Sequence, residues 1–433
     1  MGMTLARRFA SAGYRVTLIE GADRTGGLTT WHRFDDVIWD RFYHVILPSD
    51  SNLIGLLDEL NLKHDLQWRR TYTGFFVDEK LHSISNNIEF LKFPLLSFVS
   101  KIRLGLTMIY ASRINDWKKL EHTTCEAWLR RVSGNENVDK LWKPLLLAKL
   151  GVSYRRVSAV FIWSYIKRMF SARDKSASAE HLGHVVGGYH RILNAMEQQI
   201  SDSGGSVLLN TEVRSIKTSD NGVTVSCAGR EGAGHELEFD QVVCTSPVNV
   251  LEKIMPVSLL RVEETQSAGQ VEYLGVVCVV LVTRRPITRY YVVNIADESI
   301  PFTGVIGMSN VVDVEQTNGL HFTYLPRYLL STDEEMRKPD DWFKESFVAG
   351  VKRIFNDFDE SDIVGVHVNR AVKVQPLQVL GYSSLVPGVS TTDSRVHVLN
   401  TSQFVNATLN NNEVVGAVNR FYDSFSARTE TND

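Results

Sequence analysis

Apolar and polar positions alternate first with a helical period: Leu5, Ala6, Phe9 and Ala10 share one face, so a helix is predicted to open at Gly2. Gly13 supplies its stop, because left-handed backbone costs glycine least. A β-rich run over 14–19 follows and ends on Glu20. A second periodic block, 52–60, stands after Asp50-Ser51, which reads as its cap. The span 71–85 alternates around an acidic turn at Asp78-Glu79-Lys80 and predicts a hairpin. Helical spacing then dominates over 88–90, 95–114, 124–131, 137–147 and 159–170, with breaks at Pro94, Gly134 and Gly151. Next come a helix over 191–201, a buried strand over 206–213, a hairpin of 223–227 with 236–239, and a strand over 240–245. Strands over 273–283, 289–295, 302–308 and 321–325 and a helix over 340–355, capped by Asp340, form a further block. A strand over 396–399 and a helix over 412–425 close the pattern.

Composition narrows the class. A chain of 433 residues with 43% hydrophobic content can bury more than one core. A net charge of −3 argues against general nucleic-acid binding. Cys125, Cys227, Cys244 and Cys278 lie far apart with no C-x-x-C, which reads as buried thiols in a reducing, cytoplasmic setting. The histidines show no metal-ligand spacing, so no metal is expected. The first residues lack the pattern of a secretory signal. The most apolar run, 93–111, is interrupted by Lys101 and Arg103 and falls short of the roughly 18 residues a spanning helix needs. It reads as a helical cap over a pocket, with peripheral membrane contact as a second expectation.

Candidate chemistry concentrates in residues 2–28, GMTLARRFASAGYRVTLIEGADRTGGL. Helix, strand, terminal acid and glycine pair stand in the order of the second half of a dinucleotide-binding unit. Glu20 lies about 20 residues beyond the glycine turn, where an acid accepts from a ribose hydroxyl. Arg24 precedes Gly26-Gly27, where backbone can approach a pyrophosphate closely. A full fingerprint runs strand, G-x-G-x-x-G, helix. Here the chain starts at what would be the third glycine, Gly2, so the expectation is a unit without its first strand and with weakened cofactor binding.

The segment from Gly2 to Leu28 resembles the start of the FAD-dependent amine oxidase, protoporphyrinogen oxidase and phytoene desaturase superfamily, and the resemblance continues to about Phe425. It implies an α/β fold: a doubly wound FAD domain from 1–70, 185–255 and 371–425, lacking its first strand. A hairpin and helical insertion (71–184), a sheet-based substrate domain (256–370) and a polar tail (426–433) complete it. The cofactor implied is FAD, held by Gly2, Glu20, Arg24, Gly26, Gly27 and Leu28. Val213 follows the family's block of Gly187-Gly188, helix, glycine turn and strand, where a valine presents backbone to the adenine. Thr245 ends a strand before Pro247, as in the family beside the cofactor. Asn400 and Thr401 stand where relatives often have Gly-Asp, and Asn412 and Val414 open the terminal helix that faces the cofactor. The loop 406–409 also lacks the proline and arginine of a related bacterial branch, to which the phrase HFTYLPRY (321–328) is similar.

The resemblance places the aromatic cluster of Trp39, Phe42, Tyr43 and His44 across the flavin ring, which makes Tyr43 and His44 the candidate catalytic residues. Lys149 reads as a helix-terminal charge. The activity implied is hydride removal from a C–N or C–C bond of a small molecule. Two rivals are a flavin-dependent sugar-nucleotide isomerase similar to UDP-galactopyranose mutase, with Arg289 or Arg327 clamping a diphosphate, and a non-catalytic relative. Oligomeric state is open at this level.

Overall fold

The strand Tyr273–Thr283 has no exposed residue along its 11 positions. A strand apolar on both sides must be covered on both faces, and this one sorts its side chains accordingly. Val277, Val279 and Leu281 meet Phe343, Phe347 and Val351 of the helix Asp340–Ile354. Val276, Cys278, Val280 and Val282 meet Phe34, Trp39 and Phe42. In this computed structural model, which describes residues 1–430 except 35, 172–179, 230–231, 233 and 261–270, that strand lies second in a seven-stranded sheet. The order is Ile363–Pro376, Tyr273–Thr283, His321–Leu330, Gly304–Gly307, Val292–Ile295, Thr73–Val77, Lys80–Ser83.

The predicted hairpin supplies the last two strands. Asp78 and Glu79 both take positive φ (48° and 58°), the backbone of a tight two-residue turn. Thr73–Val77 then joins Val292–Ile295 in parallel. Ile363–Pro376, the longest strand of the sheet, escaped the sequence reading. Most of its residues are only half-buried, so its alternation is less marked than that of its neighbour.

The nucleotide-binding half departs from expectation. The helix Gly2–Ser11 does end before Gly13, whose φ is 91°. The strand after it is short, Thr17–Ile19, and pairs in parallel with Ser206–Leu208. Val242–Cys244 pairs in parallel with Val396–Val398. The expected doubly wound sheet is therefore two separate parallel pairs, and no strand among the described residues bridges them. Gly2 sits between the pairs: a Cβ there would meet Leu18 Cδ1 at 3.2 Å and Thr245 Oγ1 at 3.3 Å. The predicted strand 206–213 is broken after Leu208, and the chain restarts as Glu212–Ser219, edge of a three-stranded antiparallel sheet.

Between 87 and 171 the chain is largely helical, chiefly Asn87–Lys92, Phe98–Ser112, Cys125–Ser133, Lys143–Leu150 and Ala159–Ser171. Trp128, Tyr154 and Trp163 form much of the core of this insertion, which meets the large sheet at Leu274. The last helix, Asn411–Glu430, runs past 425, so the expected polar tail begins as helix; 431–433 lie outside the described residues. All four cysteines are free and buried. Among the described residues no helix is long and apolar enough to cross a membrane.

Candidate active site

The strand ends around Gly2 gather four of the expected cofactor residues. Glu20 continues the ladder, its amide donating to the Leu208 carbonyl at 2.8 Å. Its carbonyl accepts from the Thr211 amide at 2.9 Å, and its Oε1 from the Ala22 amide at 3.0 Å. Gly21 packs on Glu212, 3.9 Å from the Cβ position, so Val213 lies beside this turn. Thr245 closes the group from the second parallel pair. An acidic acceptor, a small hydroxyl and a helix N-terminus at adjoining strand ends fit the adenosine and pyrophosphate end of FAD.

Gly26 and Gly27 both adopt positive φ (112° and 58°). Their reasons differ. A Cβ on Gly26 would strike Leu193 Cδ1 at 2.6 Å, whereas one on Gly27 meets nothing within 4 Å. Gly26 is thus needed for packing, and Gly27 leaves the open backbone that a phosphate requires. Arg24 stacks on the Trp31 ring at 4.4 Å and pairs with Asp23 at 3.2 Å, while Leu28 packs toward the large sheet.

At the carboxyl-terminal end the side chains do other work than expected. Asn400 caps the short helix Thr401–Gln403 in a capping box and donates from Nδ2 to the Ser246 carbonyl at 3.0 Å. With oxygen and nitrogen both engaged, it serves as a brace, and the neighbouring Thr401 is half-buried. Asn412 is likewise committed. Its Oδ1 accepts from the amides of Asn52 (2.9 Å) and Leu53 (3.2 Å), capping the helix Ser51–Glu59 in place of Asp50. Asp50 instead accepts from the Leu47 amide (2.9 Å) and pairs with Arg168 (2.9 Å). Val414 packs against the cluster of Leu5, Phe9 and Phe421.

Tyr43 and His44 are neighbours in sequence, but their side chains have different partners, as consecutive side chains of an extended segment do. Tyr43 turns to the large sheet, where its hydroxyl meets that of Tyr328 at 2.8 Å and its ring lies 6.2 Å from Tyr324. His44 turns to Tyr189, ring centres 5.1 Å apart, with Nδ1 held 2.9 Å from the Phe42 carbonyl. Burial pulls the His44 pKa down to about 4, which favours the neutral imidazole.

The structure adds residues the sequence reading passed over. Lys149, at the end of Lys143–Leu150, is not a surface charge. Its Nζ sits 3.4 Å from the centre of the Tyr328 ring and 6.0 Å from that of Tyr165. The side chain is half-buried, with its amine over the Tyr328 ring. Burial pushes its pKa down to about 7. Tyr165 in turn donates to Gln375 Oε1 at 3.4 Å. The helical insertion, the large sheet and the segment after the Gly-Gly turn therefore meet at one tyrosine-lined point. Asp40 locks the same junction. Its carboxylate accepts from the Tyr189 amide at 2.8 Å, and its carbonyl from the Tyr324 hydroxyl at 2.6 Å. A Cβ on Gly188, at φ 69°, would press on Asp40 Oδ1 at 3.0 Å, which is why glycine opens that helix. Burial raises the Asp40 pKa to about 7. Asp40 was legible only as the polar residue inside the Trp39–Phe42 aromatic run.

Residues 2–398 match the family model for flavin-containing amine oxidoreductases. The chain belongs to that family. Its members are FAD-dependent enzymes, and FAD is the cofactor the glycine turn and Glu20 fit. Among curated relatives, this family member is similar to 15-cis-phytoene desaturase of Synechococcus elongatus, 22% identical over 276 residues, 59% of this chain and 57% of that protein. The match thus spans little more than half the relative's length. Among solved structures, wild-type putrescine oxidase bound to putrescine superposes with a TM-score of 0.72 at 17% identity, covering 98% of this chain and 96% of that one. Reduced UDP-galactopyranose mutase gives 0.63 at 14% identity, covering 88% and 83%. At such identities these likenesses show the fold.

Proposed function

We propose that this chain is an FAD-dependent oxidoreductase that oxidises a C–N or C–C bond of a small molecule held at the Lys149–Tyr328–Tyr43 junction, the hydride leaving from the carbon of that bond. The observation that carries the reading is the setting of Lys149: an amine with no hydrogen-bond acceptor among the described residues, enclosed by tyrosines where three units meet. FAD, when bound, supplies the hydride acceptor. The chain's own residues do the rest. The Tyr43 and Tyr328 hydroxyls share one hydrogen bond, and their rings exclude water. Lys149, near 7, can hold or release a proton at neutral pH and can pair with a polar group of the substrate.

The isomerase reading finds less support. Arg327 pairs with Glu335 at 3.4 Å, and Arg289 donates to the Tyr290 hydroxyl at 3.0 Å, so Arg327 already has a counter-charge within the fold. The test is the visible spectrum of the purified protein during anaerobic addition of candidate amines and unsaturated hydrocarbons. Bleaching of the flavin bands is expected. Turnover that needs pre-reduced flavin and consumes no electron acceptor would support the isomerase instead, and absence of any flavin after reconstitution would support the non-catalytic relative.

A further inference from the structure

The helix Phe98–Ser112 is inside out. Its buried positions are Lys101, Leu104, Thr107 and Ala111, two of them polar. Lys101 is satisfied there by donating to the Leu91 carbonyl at 2.6 Å, and Thr107 by the Arg103 carbonyl at 2.9 Å. The outward face carries Phe98, Val99, Ile102, Leu106, Ile109 and Tyr110, each between 40% and 73% exposed. Single exposed apolar residues are ordinary, but a contiguous stripe along four turns marks a surface meant to be covered. Leu91, whose carbonyl accepts from Lys101, is itself 50% exposed.

We infer that this face seats the protein on a lipid bilayer carrying anionic head groups. Charge selects the occupant. The helix has one exposed basic residue, Arg103, and no acidic one. Exposed Lys92 precedes it, and exposed Arg113, Lys118 and Lys119 follow it, while the nearby acids are paired: Asp116 with Lys119, Glu136 with Lys140 and Asp139 with Arg130. An apolar face with aromatic members, rimmed by long basic side chains, is the composition of a helix lying in a membrane interface. A second copy of the chain is the weaker occupant: exposed Arg103 lies among the apolar residues, and a two-fold contact there would bring like charges together.

Flotation of the full chain with vesicles tests this without reference to flavin or substrate. Wild type should float with phosphatidylcholine vesicles containing phosphatidylglycerol, and more weakly with phosphatidylcholine alone. The triple variant Phe98→Ser, Ile102→Ser, Leu106→Ser should keep its melting temperature, because no core contact is lost, while its vesicle affinity falls by on the order of tenfold or more. Lys118→Glu with Lys119→Glu should lose only the added affinity for the anionic vesicles. The inference is overturned if wild type stays unbound with both vesicle types. It is overturned equally if wild type sediments as a stable dimer that the triple variant converts to monomer.

Discussion

Lys149 sets its Nζ 3.4 Å from the centre of the Tyr328 ring, well inside the roughly 6 Å reach of a cation–π contact. No salt bridge to Lys149 exists among the described residues, so the ring face is the main compensation for a partly desolvated amine. A lysine kept in this state is costly for the fold and calls for a role in the site.

That cost has a sign that can be measured. The Lys149 pKa falls from 10.5 in the unfolded chain to about 7. A depressed value means its contribution to stability is fullest above 10.5, is lost as pH falls toward 7, and is gone below that. Lys149→Met should therefore raise the melting temperature at pH 7, with the gain shrinking toward pH 10. The same variant should lose substrate turnover at least about tenfold while keeping its flavin. A destabilised Lys149→Met protein at neutral pH would show that the amine is well solvated and that the junction is not as described.

Asp40 makes the opposite prediction. Its pKa rises from 3.8 to about 7, so the associated stability is full below 3.8 and is lost as pH rises through 7. Asp40→Asn keeps an acceptor for the Tyr189 amide without the charge. Chemical denaturation should find it more stable than wild type at pH 8 and equal at pH 4. Asp40→Ala, which leaves that buried amide unpaired, should cost about 1–3 kcal/mol at pH 4 and less at pH 8, where it also removes the buried charge.

Asn412 joins two distant helices by capping Ser51–Glu59 from Asn411–Glu430. Asn412→Ala should lower stability by about 0.5–2 kcal/mol, read from the denaturant midpoint, and Asn412→Asp should recover most of it. Unchanged stability in the alanine variant would return Asn412 to the list of residues free to serve the cofactor.

Glu20 has one carboxylate oxygen held by the Ala22 amide. The second is the expected acceptor for the adenosine ribose. Titration of apoprotein with FAD should show Glu20→Ala weaker by about 1.5–3 kcal/mol. Equal affinity would remove Glu20 from the site.

Local rules read much of this chain correctly because the causes are local. The stop at Gly13, the turn at Asp78-Glu79 and the doubly buried strand Tyr273–Thr283 depend on backbone freedom and on apolar runs. The order of helix, acid and Gly-Gly, written in residues 2–28, led to the family later shown by the match to residues 2–398. What the sequence left hidden was which polar groups are spent within the fold and which face a ligand. Asn400 and Asn412 looked like cofactor residues from their positions, and only their long-range partners Ser246, Asn52 and Leu53 show them engaged in bracing and capping. Tyr43 and His44 looked like one pair, and the extended backbone sent them to opposite units. Lys149 looked like a helix-end charge until packing carried it under Tyr328, 179 positions away in the chain. Residue type and spacing fix propensity and motif within a segment; whether a polar side chain is desolvated, paired or left aimed at a ligand depends on contacts between segments, and those exist only once the sheet, the insertion and the nucleotide unit have closed on one another.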